Sequence, residues 1–506
     1  MKNLRKIKIV SRASILAKVQ AQEVGKAITL THPSVSVQYA TIKASADRDL
    51  AIKITESHDV GLFTKDISKR VIDGEFDLAV HSWKDLPIDP SPDTEIIGTL
   101  KRGDVRDMII IKKELTEVDF KKELTILTSS PRRMYNLNNL LPDLVPIKFG
   151  RLNFIEIRGN IETRLNKFVT TDADIFVVAK VALDRLLQFG TSDAKNFIKE
   201  ILNDCKWIIL PLSVFPTAPG QGAIAIEAKK ENLELKNLVK AINCKVTFSD
   251  VQKEKSILAK YGGGCHQKIG ISLWTVRDIK MCSLIGQTEE GKSLRNLGPI
   301  HHTGTVETKY ISDDMIYPNE NDKSIFRRKP YVEHDLKDLK NSFLLFSRKN
   351  TFDDLEVIDI TNILWTSGVK AWKYAVSKGY WINGSLDNMG EKYDAEIGFL
   401  LSNKLKKYKI THKDSTSDRY RIIPKYELHL RKNIIKNLKL DSRSEFFWMS
   451  PLHFKKALEY FPEILNGNHS CGPGRTYDYL KKNIPKSKHI RCYFSYEHWL
   501  EDYKNR

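Results

Sequence analysis

A lysine and an aspartate stand side by side where an apolar segment of the chain ends. Residues 78–80 are Leu-Ala-Val, which predicts a buried strand, and the chain then turns polar and reaches Lys84 and Asp85 shortly before a proline. Ligands of open α/β sheets bind beyond the carboxyl ends of the strands, so we expect both side chains at the mouth of a cleft. Asp85 can exchange a proton there, beside a fixed cation. The alternative is a surface ion pair at a strand end.

Hydroxyl and arginine side chains recur where other predicted strands, at 8–10, 124–127, 155–157 and 174–179, lead into helices. Helix starts present unpaired N–H groups to anions, and the planar guanidinium group binds carboxylate or phosphate through two hydrogen bonds. Each arginine alone could be an ordinary surface side chain, and Ser14 could be only a helix N-cap. Because the junctions line one edge of a sheet, together they predict a site for an anion. The residues are Arg12, Ser14, Ser129, Ser130, Arg132, Arg133, Arg158, Arg164 and Arg185.

A glycine-rich turn precedes one of the six cysteines. Three glycines at 262–264 allow backbone conformations closed to other residues, so they can present the thiol of Cys265 on an exposed loop. A buried structural thiol is the usual alternative for a cysteine. The six cysteines are scattered and form no CxxC pair, which argues against a zinc site or a disulfide scaffold. We therefore predict no metal and a reducing, cytoplasmic location.

The composition indicates a globular protein with a strongly basic charge. With 506 residues, 41% of them hydrophobic and 29% charged, the chain is long enough for about three or four domains. It has no apolar run long enough to span a membrane, and we expect no secretory signal at its start. A net charge of +19 is compatible with nucleic acid, an anionic membrane or an acidic small substrate. Because the arginines lie at strand-to-helix turns and not in a basic stripe, we predict a small acidic substrate, with no nucleic acid or membrane partner.

Taken in order, seven motifs between residues 5 and 295 resemble the porphobilinogen deaminase family, also called hydroxymethylbilane synthase. They are Ser11–Ser14, Gly61–Lys65, Ala79–Pro87, Thr128–Arg133, Arg158–Leu165, Pro219–Glu227 and Gly263–Cys265. The resemblance implies a three-domain α/β enzyme, with two domains like periplasmic binding proteins and a small α+β domain, followed here by an additional α/β domain. The expected boundaries are 1–105 with 215–242, 106–214, 243–300 for the cofactor-carrying domain, a linker at 301–340, and 341–506.

The resemblance also implies the chemistry. Cys265 would carry a dipyrromethane primer through a thioether, and four porphobilinogen units would be added, each with loss of ammonia, before water releases hydroxymethylbilane. Asp85 would act as the acid/base and stabilise a cationic intermediate. Lys84 and the arginines and serines of the strand-to-helix turns would hold the acetate and propionate groups of cofactor and substrate: Arg12, Ser14, Ser129, Arg132 and Arg133 those of the cofactor, and Ser130, Arg158, Arg164 and Arg185 those of the substrate. We expect a monomer.

Three features depart from the family pattern. Val60 stands where the family has a lysine before Gly-Leu-Phe, and Ala46 replaces a glycine before Asp47. The segment 145–155 is longer than usual. One substrate contact and a loop near the active site are therefore expected to differ, while Asp85 and Cys265 are unaffected.

The chain after residue 341 is similar to uroporphyrinogen-III synthase, whose two α/β lobes clasp hydroxymethylbilane. Strand-to-helix turns at 446–451 and 470–476 carry Ser, Thr and Gly N–H donors that suit carboxylates. The resemblance implies a bifunctional enzyme that cyclises its own product to uroporphyrinogen III. Two alternatives stay open: a deaminase with a non-catalytic C-terminal module, and a small-molecule-binding protein of the same architecture.

Overall fold

The chain is a mixed α/β protein with five sheets in the part that the structure, a computed structural model, describes. The described residues are 5–42, 65–88, 91–262, 267–300, 312–331, 336–353, 355, 357–393, 395–401, 404–485 and 490–504. Within these ranges no helix combines the length and the apolar composition that a membrane crossing needs.

The first sheet is formed by N-terminal segments and by one strand that returns from later in the chain. Its early elements are β1 (Arg5–Arg12), α1 (Ile15–Thr31), β2 (Val35–Ile42), α2 (Lys65–Ile72), β3 (Leu78–Ser82) and β4 (Thr94–Gly98). β1 lies between β2 and β3 and is parallel to both. The first three residues of β3, Leu78–Val80, are apolar and buried, as expected in a strand covered on both faces, and His81 after them is buried as well.

The second sheet repeats this arrangement. Its elements are β5 (Asp107–Lys112), β6 (Lys121–Leu127), α3 (Pro131–Leu144), β7 (Phe149–Ile155), α4 (Ile161–Thr170), β8 (Ile175–Ala179), α5 (Lys180–Phe189), α6 (Ser192–Asp204) and β9 (Cys205–Ile209). The strand order is β7-β6-β8-β5-β9, with β6 parallel to β7 and β8 and with β5 antiparallel to β8 and β9. In both sheets the parallel strands therefore point their carboxyl ends, and the turns that follow them, toward one edge.

The chain then returns to the first sheet and continues into a third. β10 (Ile224–Lys229) inserts between β3 and β4, antiparallel to both. It is followed by α7 (Leu233–Lys240), α8 (Lys245–Ala259), β11 (Gly270–Val276), β12 (Ile279–Gln287) and β13 (Ser293–Pro299). The last three strands form an antiparallel sheet beside α8.

The C-terminal part contains two further sheets. Its elements are β14 (Ile316–Tyr317), β15 (Phe326–Pro330), β16 (Ser342–Phe346), β17 (Ile363–Thr366), α9 (Val369–Ser377), β18 (Gly384–Ser385), β19 (Lys406–His412), β20 (Arg421–Leu430), α10 (Lys432–Lys436), β21 (Glu445–Trp448), α11 (Pro451–Tyr460), β22 (Asn468–Cys471), α12 (Arg475–Asn483), β23 (Ile490–Cys492) and α13 (Tyr496–Lys504). The fourth sheet has the order β15-β20-β19-β16-β17-β18, and the fifth has the order β14-β21-β22-β23. The stretch 301–340, for which we predicted a linker, thus contributes a strand to each of these sheets.

The C-terminal part packs against the rest of the chain through a shared core. Apolar side chains of the second sheet and of α3 lie in the same buried cluster as Phe346, Leu364 and Trp372. The buried indole N–H of Trp372 donates to the carbonyl of Leu144 at the end of α3, at 3.1 Å. The edge strand β9 also meets the fourth sheet, because the amide of Ile209 donates to the carbonyl of Asn383 at 2.8 Å. The two parts therefore form one packed body.

Candidate active site

Lys84 and Asp85 lie in a single helical turn, Trp83–Asp85, that follows β3 directly. The turn is anchored by Trp83, whose ring is buried against Phe248 of α8 and whose amide donates to the carbonyl of Ala223. Lys84 is half-buried and its ammonium group donates to Gln221 at 3.4 Å, whereas Asp85 is exposed. Burial lowers the pKa of Lys84, and the neighbouring carboxylate of Asp85 opposes that shift. The turn thus presents a carboxylate next to a restrained cation.

Two buried arginines on α3 share one carboxylate. Arg132 and Arg133 donate to the two oxygens of Asp107 at 2.7 and 2.6 Å, and each also donates to a backbone carbonyl. Burial alone would raise the pKa of Asp107, but Arg133 and Arg132 outweigh it and hold that pKa well below its usual range. The Nε–H groups of both arginines are buried without an acceptor among the described residues. The Nε–H donor of each arginine is therefore unused by the protein in this part of the chain.

Gln221 joins these two groups of charges. Its amide nitrogen donates to Asp107 at 3.0 Å and to the carbonyl of Val105 at 2.7 Å, while its amide oxygen accepts from Lys84. Gln221 lies between Gly220 and Gly222, whose φ angles of 77° and 85° favour glycine. The Pro-Gly-Gln-Gly turn thereby links the turn after β3 to the start of β5.

Arg164 places charges from both sheets within electrostatic range of one another. Its pKa is lowered by burial and by Arg133 and Arg12, while Asp85 opposes the shift. Arg12 ends β1 and Asp85 follows β3 in the first sheet, whereas Arg133 and Arg164 follow strands of the second. These four charges, from both sheets, are thus close enough to influence one another. A cleft with such charges can bind an anion with several carboxylates.

The other predicted residues have local partners. Ser14 and Ser130 are the N-caps of α1 and α3, and Ser129 bonds to both the amide and the carbonyl of Ile157. Arg158 is half-buried beside the same turn. Arg185 is buried on α5 and donates to Glu23 of α1 at 3.0 Å, so its guanidinium group connects the helices of the second sheet to those of the first. Cys265, and the departures at Ala46 and Val60, lie outside the described residues.

Sequence reasoning missed three residues that hold this site together. Asp107 and Gln221 are separated by more than a hundred positions, and neither stands at a strand-to-helix turn. Glu227 of β10 is the third: it bonds to His81 of β3 at 2.7 Å and to Thr94 at 2.6 Å. Burial raises the pKa of Glu227, but the hydrogen bond from His81 and its other donors lower it overall. An acidic residue in an otherwise apolar strand was the one available signal.

No metal site of the usual kind accompanies these residues. In the described ranges, no group of three or more His, Cys, Asp or Glu side chains is placed to hold an ion. The cleft between the first two sheets is instead rich in arginine, which favours an organic anion as its ligand.

Comparisons with known proteins give a consistent family. The sequence model described as "Porphobilinogen deaminase, dipyromethane cofactor binding domain" matches residues 7–237. The porphobilinogen deaminase of Syntrophomonas wolfei is 34% identical over 262 residues, which cover 52% of this chain and 78% of that protein. The porphobilinogen deaminase of Fusobacterium nucleatum is 35% identical over 296 residues, covering 58% of this chain and 90% of that protein. The porphobilinogen deaminase of Chlorobaculum parvum is 32% identical over 293 residues, covering 58% of this chain and 87% of that protein.

Proposed function

The chain belongs to the porphobilinogen deaminase family, and from that membership we propose how its residues carry out the reaction. The family's enzymes are hydroxymethylbilane synthases, transferases that join porphobilinogen units on a dipyrromethane cofactor. The observation that supports the site most directly is the hydrogen-bonded network in which Gln221 joins Lys84, after a strand of the first sheet, to Asp107 and its two arginines in the second. The domain division follows the sheets: 1–105 with 215–242, 106–214 and 243–300.

The cleft suits a cofactor and a substrate that are rich in carboxylates. Each porphobilinogen brings an acetate and a propionate, so the bound chain gains negative charge with every addition. The spare Nε–H donors of Arg132 and Arg133, together with Lys84 and Arg12, are the groups we assign to the carboxylates of the dipyrromethane cofactor. Ser14 and Ser129 lie in the same turns. Attached to Cys265, the cofactor supplies the acceptor on which the chain is built.

Arg158, Arg164 and Ser130 are the groups that we assign to the carboxylates of the incoming substrate, because they follow strands of the second sheet at the same edge. Arg185 belongs to this assignment by its place in the family pattern. Its bond to Glu23 supports a second role in holding α1 against α5.

Asp85 is the residue that we assign to the chemistry. When ammonia leaves porphobilinogen, positive charge develops on the pyrrole ring of the substrate. A carboxylate fixed at the cleft can accept a hydrogen bond from the pyrrole N–H and offset that charge. The same carboxylate can move a proton at the reacting carbon, which is general acid–base catalysis.

The intact mass of the purified full-length protein tests this proposal. The wild type should carry the added mass of a dipyrromethane, and incubation with porphobilinogen should give a ladder of heavier species. Cys265→Ser should lack both, while the matched control Cys282→Ser, which changes a half-buried thiol on β12, should keep both. Asp85→Ala should carry the cofactor but add porphobilinogen units more slowly, by about 100-fold or more. An unmodified wild type that builds no ladder when primer is supplied would contradict the assignment.

A second activity, uroporphyrinogen-III synthase, is proposed for residues 341–506 together with β14 and β15. We place its cleft between the fourth and fifth sheets, where Arg348, after β16, donates to the carbonyl of Met449, after β21, at 3.1 Å. Both Arg348 and Arg328 are exposed, and Arg328 lies over the ring of Tyr426, 5.9 Å from its centroid. In the part of the chain that the structure describes, neither arginine forms an ion pair with a carboxylate. The cleft thus holds positive charge that an anion can neutralise.

The cyclisation can be tested separately from the deaminase reaction. Asp85→Ala protein is given hydroxymethylbilane, and the products are resolved by chromatography into uroporphyrinogen III and its isomers. The proposal expects formation of isomer III, reduced by Arg328→Ala and unchanged by Arg327→Ala, the adjacent exposed arginine on the other face of β15. An isomer pattern equal to that without protein would leave a deaminase with a non-catalytic C-terminal module.

We place the enzyme in the cytoplasm as a monomer without a nucleic-acid partner. The grouping of the arginines around Asp107 and Asp85, and not along a surface stripe, supports a small-molecule ligand. Sedimentation measures the oligomeric state directly. A steep salt dependence of retention on heparin would argue for nucleic acid instead.

A further inference from the structure

A short C-terminal segment lies against both crossovers that connect the first and second sheets. The crossovers are residues 99–106, between β4 and β5, and residues 210–223, between β9 and β10. The segment runs from Asn383 to Ala395, with position 394 outside the described residues, and we call it the crossover clamp. Any change in the relation of the two sheets must pass through these crossovers, because they are the chain connections between the sheets.

The clamp binds the first crossover at Arg106. This guanidinium group is 3% exposed and donates to Asp104 at 2.6 Å and to the carbonyl of Ala395 at 2.8 Å. The ring of Tyr393 covers it, with 5.7 Å between the guanidinium carbon and the ring centroid. A buried, desolvated cation over a tyrosine face is held more strongly than an exposed one.

The clamp binds the second crossover at Ser213. Both the amide and the hydroxyl of Ser213 donate to the carboxylate of Asp387, the amide at 2.8 Å. Asp387 is 2% exposed, and burial raises its pKa. The crossover clamp also contacts the third sheet, because the indole N–H of Trp274 donates to the sulfur of Met389. One segment therefore contacts both crossovers and the sheet that follows them.

The crossovers end at the residues that organise the candidate site. Arg106 is the immediate neighbour of Asp107, whose carboxylate holds Arg132 and Arg133. Farther along the second crossover, Gln221 connects Asp107 to Lys84. A shift of about 1 Å in catalytic groups is enough to slow a reaction by about 100-fold, so the placement of these crossovers matters to the chemistry.

We propose that the crossover clamp positions the arginines and Lys84 of the deaminase site, so that the C-terminal part contributes to the deaminase reaction without contacting its substrate. This inference rests on the proposed deaminase function. Tyr393 and Asp387 are positioning residues, since they act through Arg106 and Ser213.

Tyr393→Leu in the full-length protein is the test. We measure the rate of each porphobilinogen addition by rapid quench and intact mass, counting only molecules that carry the cofactor, together with the KM for porphobilinogen. The expected result is a loss of about tenfold or more in the addition rate, or an equal rise in KM. Tyr393→Phe, which keeps the ring over Arg106, should restore wild-type values. Tyr479→Leu, a half-buried tyrosine packed on Phe454 in the C-terminal part, is the matched control.

The outcomes separate the inference from the proposed function. A wild type that builds no ladder defeats the deaminase function itself. A wild type that builds the ladder, with Tyr393→Leu adding units at the same rate and KM per loaded molecule, overturns the clamp alone. A fall only in the amount of loaded protein also overturns it, because that is what a purely structural role predicts. If Tyr393→Leu does not fold, the isosteric Asp387→Asn is judged by the same criteria.

Discussion

Replacing Asp107 by alanine should destabilise the protein far more than a typical acidic substitution. The carboxylate is fully buried and accepts from Arg133 at 2.6 Å, from Arg132 at 2.7 Å and from Gln221 at 3.0 Å. Its removal leaves two adjacent guanidinium groups, 4% and 10% exposed, without a counter-charge. Breaking a buried ion pair in this way costs about 3–5 kcal/mol. Because both cations lose the same partner, we expect the upper end of that range.

Hydrogen exchange of peptides covering α3 and β5 measures this loss where it occurs, and urea unfolding followed by tryptophan fluorescence gives the overall shift. The matched control is Asp143→Ala, which removes an acid that pairs with Lys373 at 2.6 Å while both side chains stay 50% and 44% exposed. An exposed pair of that kind contributes at most about 1 kcal/mol. Equal losses in the two variants would refute the assignment of Asp107 as the charge that holds the site.

The same experiment bears on the cofactor. If Arg132 and Arg133 also hold carboxylates of the dipyrromethane, the cofactor neutralises part of the charge that Asp107→Ala exposes. The destabilisation should then be smaller in loaded protein than in the Cys265→Ser background, which lacks the attachment site. A loss independent of the background would mean that the two arginines serve only the fold.

Three further predictions concern single positions. The pKa of His453 is lowered to about 4 by burial and by two nearby arginines, whereas the unfolded side chain titrates near 6.5. The contribution of this histidine to stability is therefore complete above about pH 6.5 and falls toward pH 4 by up to about 3 kcal/mol. His453→Gln should flatten this pH profile of thermal unfolding. Gly222→Ala brings a Cβ within 3.1 Å of the backbone oxygen of Gly103 and should slow porphobilinogen addition. The control Gly74→Ala has a similar φ but no atom within 4 Å of the new Cβ, so it should cost only about 1 kcal/mol of stability. Trp372→Phe leaves the carbonyl of Leu144 without its donor and should lower the free energy of unfolding in urea by about 1–3 kcal/mol. The control Trp381→Phe should cost less, because its indole N–H has no acceptor among the described residues.

The sequence predicted the parts of the site that depend on local signals. The strand at 78–80, the polar turn with Lys84 and Asp85, and the helix starts after Ser14 and Ser130 all carry short-range patterns, and the structure has β3, the helical turn and the two caps at these places. Hydrophobic periodicity and N-cap chemistry act over a few residues, which is why a single sequence is enough to locate them.

The parts that the sequence did not predict depend on distant pairings. Asp107 lies in a charged segment for which the sequence predicted no site residue, and its partners Arg132 and Gln221 stand 25 and 114 positions away. The strands β14 and β15 were missed for a different reason. β14 has two residues, and β15 has the sequence Phe-Arg-Arg-Lys-Pro, in which no alternation of apolar side chains marks a strand. Its backbone pairing with β20 determines its conformation.

The two clefts that we propose differ in how the charge of their arginines is compensated. In the first, the Arg132–Arg133 pair is fully buried and could not be desolvated without Asp107, so the fold itself supplies a counter-charge. In the second, Arg328 stays exposed to solvent, so it needs no internal acid and remains available to a ligand. An internal carboxylate fixes the geometry of a guanidinium group at the expense of its attraction for anions. On the two proposed assignments, the first cleft would orient a growing, covalently held polyanion and the second would capture a free one.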